Sequence, residues 1–80
     1  MDQPADATLP TVEIADDVIR LGQFLKLAGL AESGAQARDL VADGEVRVNG
    51  EVDTRRGRQL RRGDTVTVEH PQGQQGATVA

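Results

Sequence analysis

The sequence predicts an α+β fold, in which two short packed helices are followed by a small antiparallel sheet of roughly three to five short strands. Two observations predict this class. Apolar residues recur at helical spacing up to about residue 43 and at every second residue in later segments. Glycines also stand where both helices are expected to end.

The first elements along the chain are a short strand and a helix. Residues 11–14 alternate polar and apolar side chains, which indicates a short edge strand. Apolar residues then follow at i, i+3, i+4 and i+7, the spacing of a buried helical face: Leu21, Phe24, Leu25 and Ala28. Because Gly29 is a typical C-terminal cap, the first helix is predicted over about residues 20–28.

The second helix has a marked start and a marked end. Ser33 and Gln36 fit a capping box, in which the serine hydroxyl accepts a hydrogen bond from a free backbone N–H and the glutamine reaches back. Gly44 supplies a left-handed cap, so this helix is predicted over about residues 34–43. Its inward stripe consists of Ala37, Leu40 and Val41. The short connection between the helices requires them to pack as a helical hairpin.

Beyond the second helix the apolar period becomes two, which predicts strands. Val46 and Val48 alternate with charged residues, and Asn49-Gly50 then predicts a tight turn. Residues 65–69 alternate again and form the predicted last strand.

The tight turn leaves the register of its hairpin to be decided. A strict two-residue loop would set Val48 opposite Glu51, whereas a loop one residue longer would set Val48 opposite Val52. The longer loop keeps the valines on one face of the sheet. Burial therefore favours the longer loop, because a slip of one residue moves every side chain to the other face.

Five arginines fall within eight residues, although the chain carries a net charge of −4. The run from Arg55 to Arg62 contains no acid, whereas residues 1–19 hold five acids and no base. Residues 20–64 hold all nine basic residues against seven acids. Like charges at this density repel one another and are seldom kept together without a counter-ion. The local field predicts an anionic partner, with nucleic acid as the first candidate.

Composition argues against several other kinds of site. The folded part is roughly 55–60 residues long, too small for a deep substrate pocket, which argues against an enzyme. Cysteine is absent, so neither disulfides nor thiolate metal sites can form. Ser33 has no general base in evidence for nucleophilic catalysis. We therefore expect no catalytic residue, no metal site and no cofactor.

Taken in order, these residues resemble the S4-type RNA-binding domain of ribosomal proteins, also called the alpha-L motif. The resemblance covers about residues 18–68, from Arg20-Leu21 to Gly63-Asp64 and Val66. Its most specific part is a glycine-terminated helix followed by Val46-Arg47-Val48-Asn49-Gly50. It implies a bacterial module, similar to the small stand-alone versions with an arginine-rich loop. In that family, both helices and the following loop lie against structured RNA.

Two positions depart from the family pattern, and the site residues follow from the charges and the resemblance together. Gly22 stands where many members have aspartate. Gly34 stands where many have an arginine that contacts phosphate, so Arg38 and the arginine run are expected to compensate. The residues expected to bind RNA are Lys26, Arg38, Arg55, Arg56, Arg58, Arg61 and Arg62.

The sequence divides into a folded centre and two tails. Residues 1–11 are expected to form a flexible acidic tail, residues 12–69 the S4-type domain, and residues 70–80 a flexible C-terminal tail. The sequence shows no signal peptide and no membrane span, so we expect a cytoplasmic protein with no membrane partner. We also expect a monomer. A further hypothesis is that residues 1–17 fold back on the arginines as a nucleic-acid mimic, the alternative being a solubilising tail.

The sequence as a whole predicts a non-enzymatic module that docks on structured RNA, either ribosomal or transfer RNA, with the ribosome as a candidate partner. Phe24 is the one aromatic residue, so the chain lacks the stacking platforms that bind single strands. The alternative is a protein-interaction adaptor whose basic loop binds an acidic protein surface. Such a loop needs apolar anchors, and the sequence supplies Leu60.

Overall fold

Helices and strands follow one another closely in residues 9–70 and 73–80, the part of the chain that the computed structural model describes. The helices are α1 (Leu21–Leu27) and α2 (Gly34–Ala42). The strands are β1 (Thr11–Val12), β2 (Val18–Arg20), β3 (Val46–Val48), β4 (Glu51–Val52), β5 (Gln59–Arg61), β6 (Thr65–His70) and β7 (Gly73–Val79). Neither α1 nor α2, the helices of this described part, has the length and apolar content needed to cross a membrane.

The strands form two sheets, which confirms the α+β class but differs from the single antiparallel sheet that was expected. The larger sheet has the order β1-β7-β6-β3-β4, and its β1–β7 pair is parallel. The smaller sheet pairs β2 with β5 in antiparallel fashion. In this sheet Leu60, which lies inside the arginine run, is paired with Ile19 and is fully buried. The sequence pattern around Leu60 is too short to predict a strand by itself.

Both helices begin and end within one residue of their predicted bounds. The Ser33 hydroxyl accepts a hydrogen bond from the backbone N–H of Gln36 at 3.0 Å, and the Gln36 side chain accepts one from the backbone N–H of Glu32. Gly29 and Gly44 have φ values of 75° and 76°, the left-handed conformation that ends a helix most cheaply at glycine. The capping signals in the sequence are therefore confirmed.

The hairpin between β3 and β4 has the shorter loop, so the predicted longer loop is wrong. Val48 pairs with Glu51, and Arg47 pairs with Val52. Asn49 and Gly50 both have positive φ, 53° and 89°, as in the type I′ turn whose twist matches its flanking strands. The turn geometry outweighs the burial of one valine, and Val52 remains 49% exposed.

The predicted C-terminal tail, residues 70–80, is wrong for residues 73–79, which form β7. This strand pairs with β6 over residues 73–78, from Thr65 opposite Thr78 to His70 opposite Gly73. Ala77 and Val79 are buried at alternate positions, which two small side chains signal only weakly in the sequence. Gly76 permits close approach, because a Cβ there would lie 2.7 Å from the carbonyl oxygen of Val66.

The predicted N-terminal tail, residues 1–11, is only partly open to comparison. Residues 1–8 lie outside the described residues, as do Pro71 and Gln72. Thr11 belongs to β1, which confirms a short strand at the edge of the sheet, over two of the four predicted residues. This edge strand runs parallel to β7.

A cluster of buried apolar side chains joins the helices to both sheets. Phe24 lies fully buried within it, together with Leu21 and Leu25 from the same face of α1. Burying a side chain of this size contributes about 1.5–3 kcal/mol. The cluster fixes the position of α1, whose polar face and N-terminus then lie beside α2 and the segment between β4 and β5.

Candidate nucleic-acid interface

The arginine loop, residues 54–58 between β4 and β5, is held against the start of α1 by backbone hydrogen bonds. The Leu21 N–H donates to the carbonyl oxygen of Arg58 at 2.8 Å, and the Gly22 N–H donates to that of Arg56 at 3.0 Å. The N-cap residue Arg20 makes no side-chain capping bond. The loop carbonyls therefore satisfy two N–H groups that the helix itself leaves unpaired.

Gly22 allows this close contact between the arginine loop and α1. A Cβ at this position would lie 2.7 Å from the Cγ of Arg56, closer than real Cβ contacts come. The absence of a side chain at Gly22 thus permits the Arg56 side chain to lie against α1. Gly22, one of the two departures from the family pattern, is for this reason a structural part of the site.

Asp53 is a buried carboxylate directly before the loop and is only 6% exposed. Its Oδ1 accepts hydrogen bonds from the N–H and Nε of Arg55 at 2.9 and 3.1 Å. Its Oδ2 accepts from Arg55 Nη2 at 2.9 Å and Arg58 Nη1 at 2.8 Å. These bonds, those from Arg55 above all, hold the pKa of the Asp53 carboxyl well below its ordinary value, although burial acts to raise it. Two of the five arginines in the run therefore have an internal counter-ion.

The last two arginines of the run, Arg61 and Arg62, lie outside the arginine loop and outside the cleft lining. Arg62 donates to the carbonyl oxygen of Ile14 at 3.0 Å, and its Nη1 lies 3.5 Å from a carboxylate oxygen of Asp17. Arg61 lies in β5, and its backbone N–H donates to the Asp64 carboxylate at 2.8 Å. That bond lowers the pKa of the Asp64 carboxyl.

A cleft of about 370 Å³ lies where α1, α2 and the arginine loop meet. Its lining is Arg20, Gly22, Gln23, Lys26, Gly34, Ala37, Arg38, Arg56 and Gly57. Four of these residues are cationic, and no acidic residue of the described chain belongs to the lining. Glycine and alanine between the cations leave room for an anion to approach the backbone. This arrangement can bind phosphate groups by charge-assisted hydrogen bonds.

The cleft brings together three of the seven predicted site residues: Lys26, Arg38 and Arg56. Gly34 and Arg38 are one helical turn apart and both line it, so Arg38 lies close to the position where many family members have an arginine in place of Gly34. Asp39 is 3.8 Å from Arg38, but both side chains are largely exposed. The structure places Arg55, Arg58, Arg61 and Arg62 outside the lining.

Arg20 is a cleft residue that the sequence reasoning missed. It precedes α1 directly and lines the cleft beside Lys26 and Arg38. A lone cation at a helix start gives no periodic signal. The signal that could have found it is its place at the opening of the S4-type pattern, before Leu21.

Comparison with known proteins agrees with this architecture. The sequence matches the S4 domain over residues 12–75. It is 48% identical over 58 residues to the "Probable ribosome maturation protein RlbA" of Bacillus subtilis (strain 168), covering 72% of this chain and 82% of that protein. It is 43% identical over 58 residues to the "Putative RNA-binding protein YbcJ" of Escherichia coli (strain K12), covering 72% of this chain and 73% of that protein. The chain therefore belongs to the S4-domain family.

Proposed function

We propose that this protein is a non-enzymatic RNA-binding protein that docks on structured RNA through the cleft between α1, α2 and the arginine loop. The observation that carries the proposal is the lining of this cleft, which has four cations and no acid among the described residues. An RNA-binding role is also supported by the family and by the name of the Escherichia coli relative.

The recognition we propose is directed at the RNA backbone. Arg20, Arg38 and Arg56 can each donate two parallel hydrogen bonds to a phosphate, and Lys26 adds a compact charge. Phe24, the one aromatic residue, is fully buried and offers no surface on which a base could stack. A folded RNA, which presents phosphates in a fixed arrangement, fits such a site better than a flexible single strand.

The arginine run has two roles in this proposal. Arg56 contacts phosphate in the cleft, whereas Arg55 and Arg58 hold the loop through Asp53. Arg61 and Arg62 remain predicted contacts, at the edge of the bound RNA. This division revises the expectation that the run acts as one uniform binding segment.

We propose ribosomal RNA as the first target to test and transfer RNA as the second. The Bacillus subtilis relative is named for ribosome maturation, which supports ribosomal RNA. The adaptor alternative needs an apolar anchor beside the arginines. Leu60, the anchor that the sequence supplies inside the arginine run, is fully buried and cannot serve as one, which weakens the adaptor alternative.

The test is fluorescence anisotropy of the protein with labelled fragments of ribosomal RNA and with transfer RNA, at several salt concentrations. If about four cations contact phosphates, the slope of log K against log salt should be on the order of −3 to −3.5. Affinity would then fall by about a hundredfold between 50 and 200 mM salt.

A pair of single variants separates a binding site from general positive charge. Arg56→Ala removes one cation from the cleft, and Arg47→Ala removes one from β3, outside the cleft. We expect Arg56→Ala to weaken binding about tenfold and to reduce the salt slope by about one. Equal losses in both variants, or no binding by the wild type to any folded RNA, would contradict the proposal.

A further inference from the structure

Asp53 is a charged residue in a place where an apolar side chain would be expected. It follows β4, whose residues Glu51 and Val52 are both exposed, yet Asp53 itself is only 6% exposed. A buried carboxylate is costly unless it is paired and hydrogen-bonded. Its pairing partners are Arg55 and Arg58, and both belong to the arginine loop.

The hydrogen bonds of Asp53 connect the two ends of the arginine loop. Arg55 at the start and Arg58 at the end both donate to the Oδ2 atom, and the Arg58 N–H donates to the carbonyl oxygen of Arg55 at 3.1 Å. The Asp53 N–H donates to the carbonyl oxygen of Val46 at 3.1 Å, and this bond attaches the backbone of Asp53 to β3. The loop is thereby closed on a buried anchor whose backbone is hydrogen-bonded to the five-stranded sheet.

Arg56 and Gly57 lie at the tip of the closed loop. Both line the cleft, and the Arg56 carbonyl oxygen accepts a hydrogen bond from Gly22. The position of the Arg56 side chain therefore depends on a turn that Arg55 and Arg58 hold closed. The buried carboxylate is the group to which both of these arginines bind.

We propose that Asp53 is a positioning residue for RNA binding: it holds Arg55 and Arg58 so that Arg56 faces the cleft between α1 and α2. This inference rests on the proposed RNA-binding function of the cleft. It adds to that function an acidic residue, Asp53, whose charge is opposite to that of the cleft cations. Asp53 touches no RNA and acts through the loop that it closes.

This role makes a prediction whose sign is opposite to that of simple electrostatics. Asp53→Asn makes the net charge more positive by one, which alone would tighten binding to a polyanion. If Asp53 positions Arg56, the same change weakens RNA binding, because the neutral amide no longer holds the guanidinium groups of Arg55 and Arg58. The Arg56 side chain then faces the cleft in a smaller fraction of the molecules. Glu51→Gln changes the net charge equally, two residues away and on an exposed strand.

The experiment compares wild type, Asp53→Asn and Glu51→Gln in the same anisotropy assay, after circular dichroism has shown that each is folded. We expect Glu51→Gln to bind as tightly as the wild type or slightly more tightly. We expect Asp53→Asn to bind about tenfold more weakly, with a salt slope smaller by about one. Binding by Asp53→Asn that equals or exceeds that of the wild type would overturn the inference and leave the proposed function intact.

A double-mutant cycle distinguishes positioning of Arg56 from a general loss of stability. In the Arg56→Ala background, Asp53→Asn should have little further effect on affinity, because the residue that it positions is already gone. An equal loss in both backgrounds would overturn the inference. A wild type that binds no folded RNA would overturn the proposed function and, with it, this inference.

A second variant keeps the test available if Asp53→Asn does not fold. Arg55→Lys keeps the charge but lacks the planar fork that binds both carboxylate oxygens of Asp53, and the Arg55 side chain is 72% exposed. We expect it to weaken binding about threefold, and only when Arg56 is present, whereas Arg47→Lys should have no effect. A loss that persists without Arg56 would show direct contact by Arg55 and contradict the inference.

Discussion

The arginine run and the cleft are both basic, but their charges face different surroundings. In the run, Asp53 pairs with Arg55 and Arg58, and Arg62 bonds to a backbone carbonyl near Asp17. The cleft instead collects four cations from β2, α1, α2 and the loop, with no acid among its described lining residues. Charge density along a sequence therefore does not measure the charge available to a partner. Folding neutralises part of the positive charge of the arginine run and brings the cations of the cleft close together.

The largest expected effect is that of removing two cations from the cleft, compared with removing two cations from the arginine run. Lys26→Ala with Arg38→Ala should reduce RNA affinity by at least about tenfold at low salt and lower the salt slope by about two. Arg61→Ala with Arg62→Ala should have a clearly smaller effect, because neither residue lines the cleft. Anisotropy titrations across salt concentrations measure both quantities. Equal losses from the two pairs would remove the distinction between the regions.

A substitution that changes no charge should separate binding from stability at the cleft. Gly22→Ala places a Cβ 2.7 Å from the Cγ of Arg56, so the arginine must move. Replacing glycine by alanine in a helix gains up to about 1 kcal/mol, which offsets part of the strain. We expect RNA affinity to fall several-fold while the free energy of unfolding changes by less than about 1.5 kcal/mol. Anisotropy titrations and urea unfolding measure the two quantities, and an unchanged RNA affinity would contradict this prediction.

The buried carboxylate gives the arginine loop a contribution to stability that depends on pH. The pKa of Asp53 is lowered from its ordinary value of 3.8, mainly by the hydrogen bonds from Arg55. A lowered pKa contributes stability that is present above the ordinary value and is lost as the pH falls toward the folded-state value. The difference in unfolding free energy between wild type and Asp53→Asn should be constant above about pH 5 and shrink below it. Urea unfolding from pH 7 to pH 3 measures this difference, and a gap that widened in acid would contradict the assignment.

The smallest expected effect concerns the acidic segment before β2. Asp17 is fully exposed where it approaches Arg62, and exposed pairs of this kind contribute little. Asp17→Asn should therefore change RNA affinity by less than about twofold. A larger increase in affinity at low salt would support the nucleic-acid mimic hypothesis for residues 1–17, of which residues 1–8 lie outside the described chain.

Local signals in the sequence were sufficient to predict the helices and part of the site. Capping at Ser33 and Gly44 and the apolar spacing from Leu21 depend on neighbouring residues only, and they predicted both helices. The charge pattern together with the family resemblance identified Lys26, Arg38 and Arg56, which meet in the cleft.

The features that the sequence did not reveal depend on contacts between distant residues. The strand β7 forms because β6 provides a partner, although Gly76 and its glutamine neighbours resemble a tail in isolation. Asp53 was counted as one acid among others, because its burial follows from the β3–β4 register, which burial reasoning assigned incorrectly. Arg20 joins the cleft only after β2 pairs with β5.

The parallel pairing of β1 with β7 has a consequence for the order of folding. Thr11 and Thr78 come from opposite ends of the described chain, so their pairing requires closure of nearly the whole domain. Loop-closure entropy makes such a contact slow to form, whereas the α1–α2 hairpin is local in sequence. We expect the helical side of the cleft to form early and β1 to join last. Amide hydrogen exchange should then be fastest at β1, where fraying would leave α1 and α2 in place.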